Sequence, residues 1–457
     1  MSTETVSAAA AEAAPDEAGS DEIGLAEAAA ATEAVPPRLS EELLEEIAAG
    51  AVHRELEREL PFEPVRQLDA ARFGALRVPA EYGGPGLSIE QLVTELIRLA
   101  EADSNVAHLY RGHFGFVEAI RFQPEEVRAH WYSQVLAGRT VGNASTEKGG
   151  NALGELNTLL TEEDGRPLLT GEKFYCTGTI FSDFTRVSAS RAEGGRKFAV
   201  VAVDAPGVTV HDDWDGFGQR LTGTGTTEFD RAQVAPHGVL DRVVGGHEAV
   251  HEAAFFQLYL LAAQVGVAKA AVRDAAALVA RRRRTFNTSG SGELFKDDPL
   301  IQQIIGTMSA KTFAAEATVL EVARIQDRAL AAGLAAGTDR PGFSGELPEE
   351  VYDAEIAVER AHVTVPELVI GVTQELFQTV GASATMRPKA LDRHWRNAQT
   401  IATHNPIVFR ARSIGDYEIN GTLPEGLNAI GDAQGKTEAQ GSDAQRAEAQ
   451  GKTEETN

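Results

Sequence analysis

At 457 residues, 43% apolar and 24% charged, the chain is long enough to bury sizeable cores, and no run reaches the roughly eighteen uninterrupted apolar residues of a membrane span. The formal charge is -26, of which residues 1–39 carry -7 and residues 430–457 carry -3; the acidic body that remains argues against a nucleic-acid partner, which would need clustered Lys and Arg. The single cysteine, Cys176, excludes an internal disulfide, and the acidic N-terminus lacks the basic flank and apolar core of a secretory signal, so a cytoplasmic protein is expected.

Residues 1–39 are rich in Ala and Glu and close on Pro36-Pro37, so they read as a disordered acidic tail. From Ser40, a helix-capping residue, apolar positions recur at helical intervals, and residues 40–139 form an N-terminal α domain. Within it lie the glycine-rich turn 78–86 and an amphipathic stretch from Ser88 to about Ala119 that carries His108, Tyr110 and His113.

Residues 140–245 switch to short apolar runs such as KFAVVAV, broken by Gly, Asp and Pro, and predict a central β-barrel-like domain. Residues 246–422 return to helical patterning over roughly 250–284, 298–333, 348–380 and 386–418, which predicts a C-terminal four-helix bundle. The class is therefore α+β. Residues 423–457 repeat AQGKTE at Ala433 and Ala449 with few large apolar residues and read as a second disordered tail.

Several segments could carry chemistry. GNASTE at 142–147 and KFYCTG at 173–178 place amide and hydroxyl side chains beside small residues, where a planar heterocycle could meet donors and acceptors. The Gly/Thr-rich loop 215–227 offers backbone donors to an anion but lacks a P-loop lysine, and no βαβ unit makes it a dinucleotide fingerprint. Arg281 to Arg284, followed by Phe286, could bind a phosphate. His108 and His113 lie about 140° apart on one helix with no carboxylate cluster beside them, so no metal site is expected. No G-x-S-x-G elbow supports a hydrolase.

In this order, LRVPAEYGGPGLS, ASTEKGG, KFYCTG, GQRLTGTGTTEFD and RRTF resemble the motifs of the acyl-CoA dehydrogenase superfamily over about residues 40–420. The resemblance implies that Thr146 and Thr177 hydrogen-bond an isoalloxazine ring. It also implies that Arg283, Arg284 and Phe286 reach the flavin phosphate region across a subunit boundary, with Gln378 and Ser383 in the loop QTVGASAT beside them. An oligomer, expected to be a homotetramer, follows from the same likeness.

The departures bear on the reaction. Gly223-Thr224-Gly225 stands where many acyl-CoA enzymes have D-T-R, and Asn405 stands where they carry the general-base Glu; an amide cannot accept the α-proton of a thioester. WDGFGQRLTGTGTT, LFQTVGASAT and LDRHWRN with a following His-Asn-Pro resemble the flavin-dependent monooxygenase branch, whose members oxidise dibenzothiophene and other sulfur compounds. That branch takes reduced FMN from a separate reductase, forms a flavin C4a-hydroperoxide with O2 and transfers one oxygen atom.

The expected reaction is therefore insertion of oxygen into an apolar organosulfur substrate or an amine, with FMN preferred to FAD. His404 is the expected proton-handling residue, with Asn143, Tyr110 and Thr177 positioning the peroxide or flavin edge, and Phe114, Tyr175, Phe217 and His108 lining the substrate pocket. Ile401 and Asn405 depart from the His and Asp of several desulfurisation relatives, which leaves the substrate open. The alternatives are an FAD-dependent acyl-CoA dehydrogenase with a displaced base and a flavin-binding protein without turnover.

Overall fold

The structure is a computed structural model that describes residues 38–148, 156–191, 195–242, 246–283, 294–343 and 345–423. Six helices come first: α1 (Glu41–Glu57), α2 (Phe62–Ala70), α3 (Ile89–Ala102), α4 (Ser104–Leu109), α5 (Arg111–Ile120) and α6 (Glu125–Leu136). The Ser40 hydroxyl accepts the Leu43 N–H at the head of α1, while α3 starts with a full capping box in which Ser88 and Gln91 serve each other's backbone.

The amphipathic stretch from Ser88 is three helices instead of one. Asp103 is extended, with φ of -155°, and its carboxylate accepts the Asn105 N–H at 3.0 Å while also holding Arg54 at 2.9 Å. A side chain that caps the next helix ends the previous one. The turn at Tyr110 then sets off α5 from α4. Leu92, Leu96, Leu99 and Ala100 of α3 are buried in the same core as Leu258, Leu261 and Val265, each large side chain contributing about 1.5–3 kcal/mol.

The strands β1 (Val141–Ala144), β2 (Leu159–Glu163), β3 (Arg166–Lys173), β4 (Phe184–Arg191), β5 (Arg196–Ala202), β6 (Val208–Val210) and β7 (Thr227–Leu240) form one sheet in the order β1-β4-β2-β3-β7-β5, with β6 on β7. Because β5 also pairs with β4, the sheet closes on itself. The parallel strands β1 and β2 follow one another along the other side of β4, from Phe184 to Val187 and then at Ser190 and Arg191. Leu169, Val187, Ala189, Val201 and Phe229 fill the interior. The barrel-like expectation holds, and β1 delivers Asn143 to its helical edge.

The bundle comprises α7 (His247–Arg281), α8 (Pro299–Ala335), α9 (Glu349–Val380), α10 (Asp392–Ala402) and α11 (Ile407–Asn420). Helix α7 is long and apolar enough to cross a membrane, but 83% of its most apolar window is buried within the protein, as in a core helix. Gly266 lets α3 come close, since a Cβ there would meet the Ala100 carbonyl carbon at 2.7 Å.

The fourth helix predicted over 386–418 is corrected to two, separated by residues 403–406. Pro406 has no N–H to continue the ladder and steers Asn405 away from helical geometry. The chain therefore leaves α10 at Thr403 and re-enters a helix at Ile407, with His404 and Asn405 in the break.

Candidate active site

Four segments far apart in sequence meet on a buried polar network. The N–H of Gln219 donates to Asn397 Oδ1 at 2.7 Å; Asn397 Nδ2 and Gln219 Nε2 both donate to the Ser104 hydroxyl, at 3.2 and 3.1 Å. His108 Nδ1 donates to Gln219 Oε1 at 2.9 Å, and the Leu221 N–H donates to Asn105 Oδ1 at 3.3 Å. Helix α4, the Gly/Thr-rich loop and α10 are thereby fixed to one another. On the outer side Arg396 reaches Glu55 at 2.7 Å and the Phe217 carbonyl at 2.8 Å, and Trp395 stacks on Phe217 with ring centres 5.8 Å apart. A cavity of about 20 Å³ against Glu55, Ser104 and Asn397 has room for one water, and Glu55 Oε2 lacks a protein partner.

This network fixes the state of His108. Burial and then the nearby Arg111 charge pull its imidazole down to about 4, so the ring is neutral at pH 7. With Nδ1 donating to Gln219, its Nε2 carries a lone pair.

His404 lies in the break between α10 and α11. Its ring is surrounded by protein and yet more than a third of its surface is accessible, so it lines a recess and is not sealed in packing. Asn405 Nδ2 donates to His404 Nδ1 at 3.2 Å and to Gln257 Oε1 on α7 at 3.0 Å. An accepting Nδ1 leaves the proton on Nε2. Burial, followed by the charges of Arg111, His108 and His362, holds the imidazole well below its usual range. His404 is therefore a neutral Nε2–H donor, where the sequence predicts a titrating, proton-handling imidazole.

Around the barrel's edge, the Phe174 N–H donates to the Thr146 carbonyl at 2.8 Å and the Cys176 N–H to the Gly225 carbonyl at 3.0 Å. These bonds draw GNASTE, KFYCTG and the Gly/Thr loop together. Thr146 and Thr177 are half-buried; Thr177 Oγ1 pairs with Thr224 Oγ1 at 2.9 Å, and Asn143 Oδ1 accepts from the Ser145 hydroxyl at 3.1 Å. Tyr175, 47% exposed, and Phe217, 55% exposed, offer open aromatic faces beside Trp214 and Trp395. Hydroxyls and an amide next to uncovered aromatic faces form a donor and acceptor set that fits a flavin ring.

Two of the expected site residues face elsewhere. Tyr110 is 2% exposed; its hydroxyl donates to Asp69 at 2.9 Å and its ring packs edge-on against Phe73, so it ties α2 to the helical core and positions no peroxide. Phe114 is fully buried against Phe73 and Tyr259 and walls no pocket. His113 is likewise spent in packing, donating from Nε2 to the Gly74 carbonyl at 2.9 Å and accepting the Val141 N–H at 3.1 Å.

The phosphate candidates gather at the opposite end of the bundle. Arg282 donates to the Val380 carbonyl at 2.5 Å, joining the end of α7 to the loop that carries Ser383, whose hydroxyl donates to the same carbonyl at 3.1 Å. Gln378, Ser383 and Arg283 are exposed there, while Arg284 and Phe286 lie outside the described residues. Roughly 36 Å of helix separates Gln257 from Arg281 on α7, and about 24 Å separates His362 from Gln378 on α9. A ribityl chain of five carbons spans far less. Among the described residues no His, Cys, Asp or Glu group could hold a metal ion.

Two residues of the recess were missed from sequence. Arg111 and Gln257 are isolated polar residues in the apolar stretches HLYRGHFGF and AAFFQLYLL, and that isolation was the available signal.

Comparison with known proteins agrees with this geometry. The family models described as acyl-CoA dehydrogenase, N-terminal domain, and acyl-CoA dehydrogenase, C-terminal domain, match residues 30–139 and 258–409. Dibenzothiophene monooxygenase of Rhodococcus qingshengii is 25% identical over 405 residues, covering 85% of this chain and 94% of the relative. The probable FMNH2-dependent monooxygenase SfnC of Pseudomonas putida is 25% identical over 400 residues, covering 85% and 97%. The FMN-bound crystal structure of TdsC from Paenibacillus sp. A11-2 superposes with a TM-score of 0.74 at 26% identity, covering 84% of this chain and 98% of that one.

Proposed function

The chain belongs to the acyl-CoA dehydrogenase superfamily, in its flavin-dependent monooxygenase branch, and we propose that it inserts one atom of O2 into an organosulfur substrate using reduced FMN. The observation that carries this reading is Asn405. The position that would hold a dehydrogenase base is an amide locked between Gln257 and His404, and it cannot take a proton from carbon. Two buried acids of the bundle are engaged elsewhere, Glu252 by Arg186 and Arg242, and Glu359 by Arg410.

When bound, reduced FMN supplies the electrons and the centre at which O2 is activated. Thr146, Thr177 and Asn143 would meet the polar edge of the ring. His404 holds a proton at Nε2 toward the recess, where it steadies developing negative charge on oxygen. Tyr175 and Phe217 would wall the substrate pocket. Arg283, Gln378 and Ser383 serve the phosphate of a flavin held by a neighbouring subunit, a reading supported by their distance from His404 along α7 and α9. We propose a cytoplasmic homotetramer supplied with FMNH2 by a separate reductase, with neither nucleic acid nor membrane as partner.

The test is isotopic. With a flavin reductase, NADH, FMN and 18O2, one labelled oxygen atom should enter a sulfide or sulfone and the other should appear in water. Hydrogen peroxide as the sole oxygen product across sulfur and nitrogen acceptors would overturn the reading.

A further inference from the structure

Arg111 opens α5 and turns its guanidinium onto α7. Its Nε donates to the Phe256 carbonyl at 3.1 Å, and its guanidinium carbon lies 4.3 Å from the centre of the Phe256 ring. Gly115, one turn on, leaves room for that ring, since a Cβ there would collide with it. Among the described residues no carboxylate pairs with Arg111. Glu252, the acid whose charge bears on it, is held by Arg186 and, at 2.6 Å, by Arg242. A half-buried guanidinium without a counter-ion is costly, and burial pulls this one down to about 10.

A second observation points the same way. Gln257 follows Phe256 on α7 and is 2% exposed; its Oε1 is taken by Asn405, while its Nε2, with two N–H groups, has no partner. A buried amide nitrogen left without an acceptor calls for one. His404, bonded to the same Asn405, presents a third donor through Nε2–H. The recess thus offers a cation and several N–H donors.

We infer that Arg111, Gln257 and His404 form a recognition site for a compact oxyanion on the substrate, so that the organosulfur compound oxidised here is an acid, carrying a sulfinate or carboxylate group, and not a neutral heterocycle. The inference rests on the oxygenase reading for the word substrate. The donors lie on α5, on α7 and in the break before α11, whereas the hydroxyls suited to the flavin lie at the strand ends. A guanidinium and an amide match the oxygens of such an anion, and the Phe256 ring flanks its alkyl part.

Binding tests this without turnover. Butanesulfonate, pentanoate and the neutral butyl methyl sulfone would be titrated calorimetrically into the full-length protein loaded with oxidised FMN. At least one anion should bind about tenfold or more tighter than the sulfone, and the tighter anion names the acid. Arg111→Met should weaken that anion by about 50-fold or more while moving the sulfone by no more than about twofold; Arg111→Lys should fall between, and Gln257→Ala should cost several-fold.

The inference is overturned if the sulfone binds as tightly as both anions, if Arg111→Met weakens all three alike, or if it weakens FMN instead. Matched melting temperatures would show that the variants fold. If the anions bind through Arg111 and no labelled oxygen reaches any product, the oxygenase reading fails alone; if Arg111→Met still oxygenates an acidic sulfide at the wild-type kcat/KM, the inference fails alone.

Discussion

The side-chain oxygen of Asn397 accepts the backbone N–H of Gln219 at 2.7 Å, across 178 residues of chain. One bond joins the basic helix α10 to the Gly/Thr-rich loop, and through Gln219 it reaches His108. The Asn of LDRHWRN and the Gln of GFGQRLTG are therefore partners in one network.

Replacing Asn397 by Ala leaves a buried N–H without an acceptor and frees the loop. We expect a loss of about 2–3 kcal/mol in denaturant unfolding, together with weaker FMN binding measured by fluorescence quenching. Unchanged flavin affinity would separate the loop from the cofactor site.

His404→Ala should lower kcat on the order of 100-fold or more while the affinity for FMN stays within a few-fold, with oxygen consumption diverted to hydrogen peroxide. Steady-state oxygen uptake set against product formation measures the diversion.

Asn405→Asp tests the tautomer. A carboxylate in place of the amide cannot donate to His404 Nδ1; it accepts from it, moves the proton and favours the charged ring. Its pH–rate profile should gain an ionisation between about pH 6 and 8 that the wild type lacks.

Glu355 gives a pH signature of its own. Burial, with the charge of Glu359 beside it, raises its carboxyl from the usual 4.5 to about 8. Between those values the folded protein binds a proton that the unfolded chain has released, so stability falls as pH rises through this window. Glu355→Gln removes that slope. Its stability relative to wild type should climb by about 2–4 kcal/mol from pH 5 to pH 9 in thermal melts.

If the phosphate of each flavin is held by a neighbouring subunit, Arg283→Ala and His404→Ala fail in different halves of the site. Co-expressed in equal amounts, these variants should regain roughly a quarter of wild-type activity by random assortment. No recovery would place both residues in one chain's site.

Much of this was legible in the sequence because the signals were local. Helical and strand periodicity marked the three-part order, and GNASTE, KFYCTG and the Gly/Thr loop each announced polar side chains beside small residues. Other features depend on partners distant in sequence. Tyr110 and Phe114 look like pocket aromatics until Asp69, Phe73 and Tyr259 claim them. Arg111 looks like an ordinary surface cation until the Phe256 carbonyl and ring fix it facing inward. The break at 403–406 was another local signal, since Pro406 stood in plain view.

That proline has a chemical consequence. Neighbouring residues of a continuous helix point about 100° apart, and their side chains do not meet. Asn405 can grip the His404 ring because the chain has left the helix there, and it has left because Pro406 cannot continue it. A residue with no titratable group and no contact with oxygen thus dictates which nitrogen of His404 holds the proton. Pro406→Ala, by letting α10 and α11 fuse, would strip the imidazole of its orientation while leaving every polar side chain of the recess in the sequence.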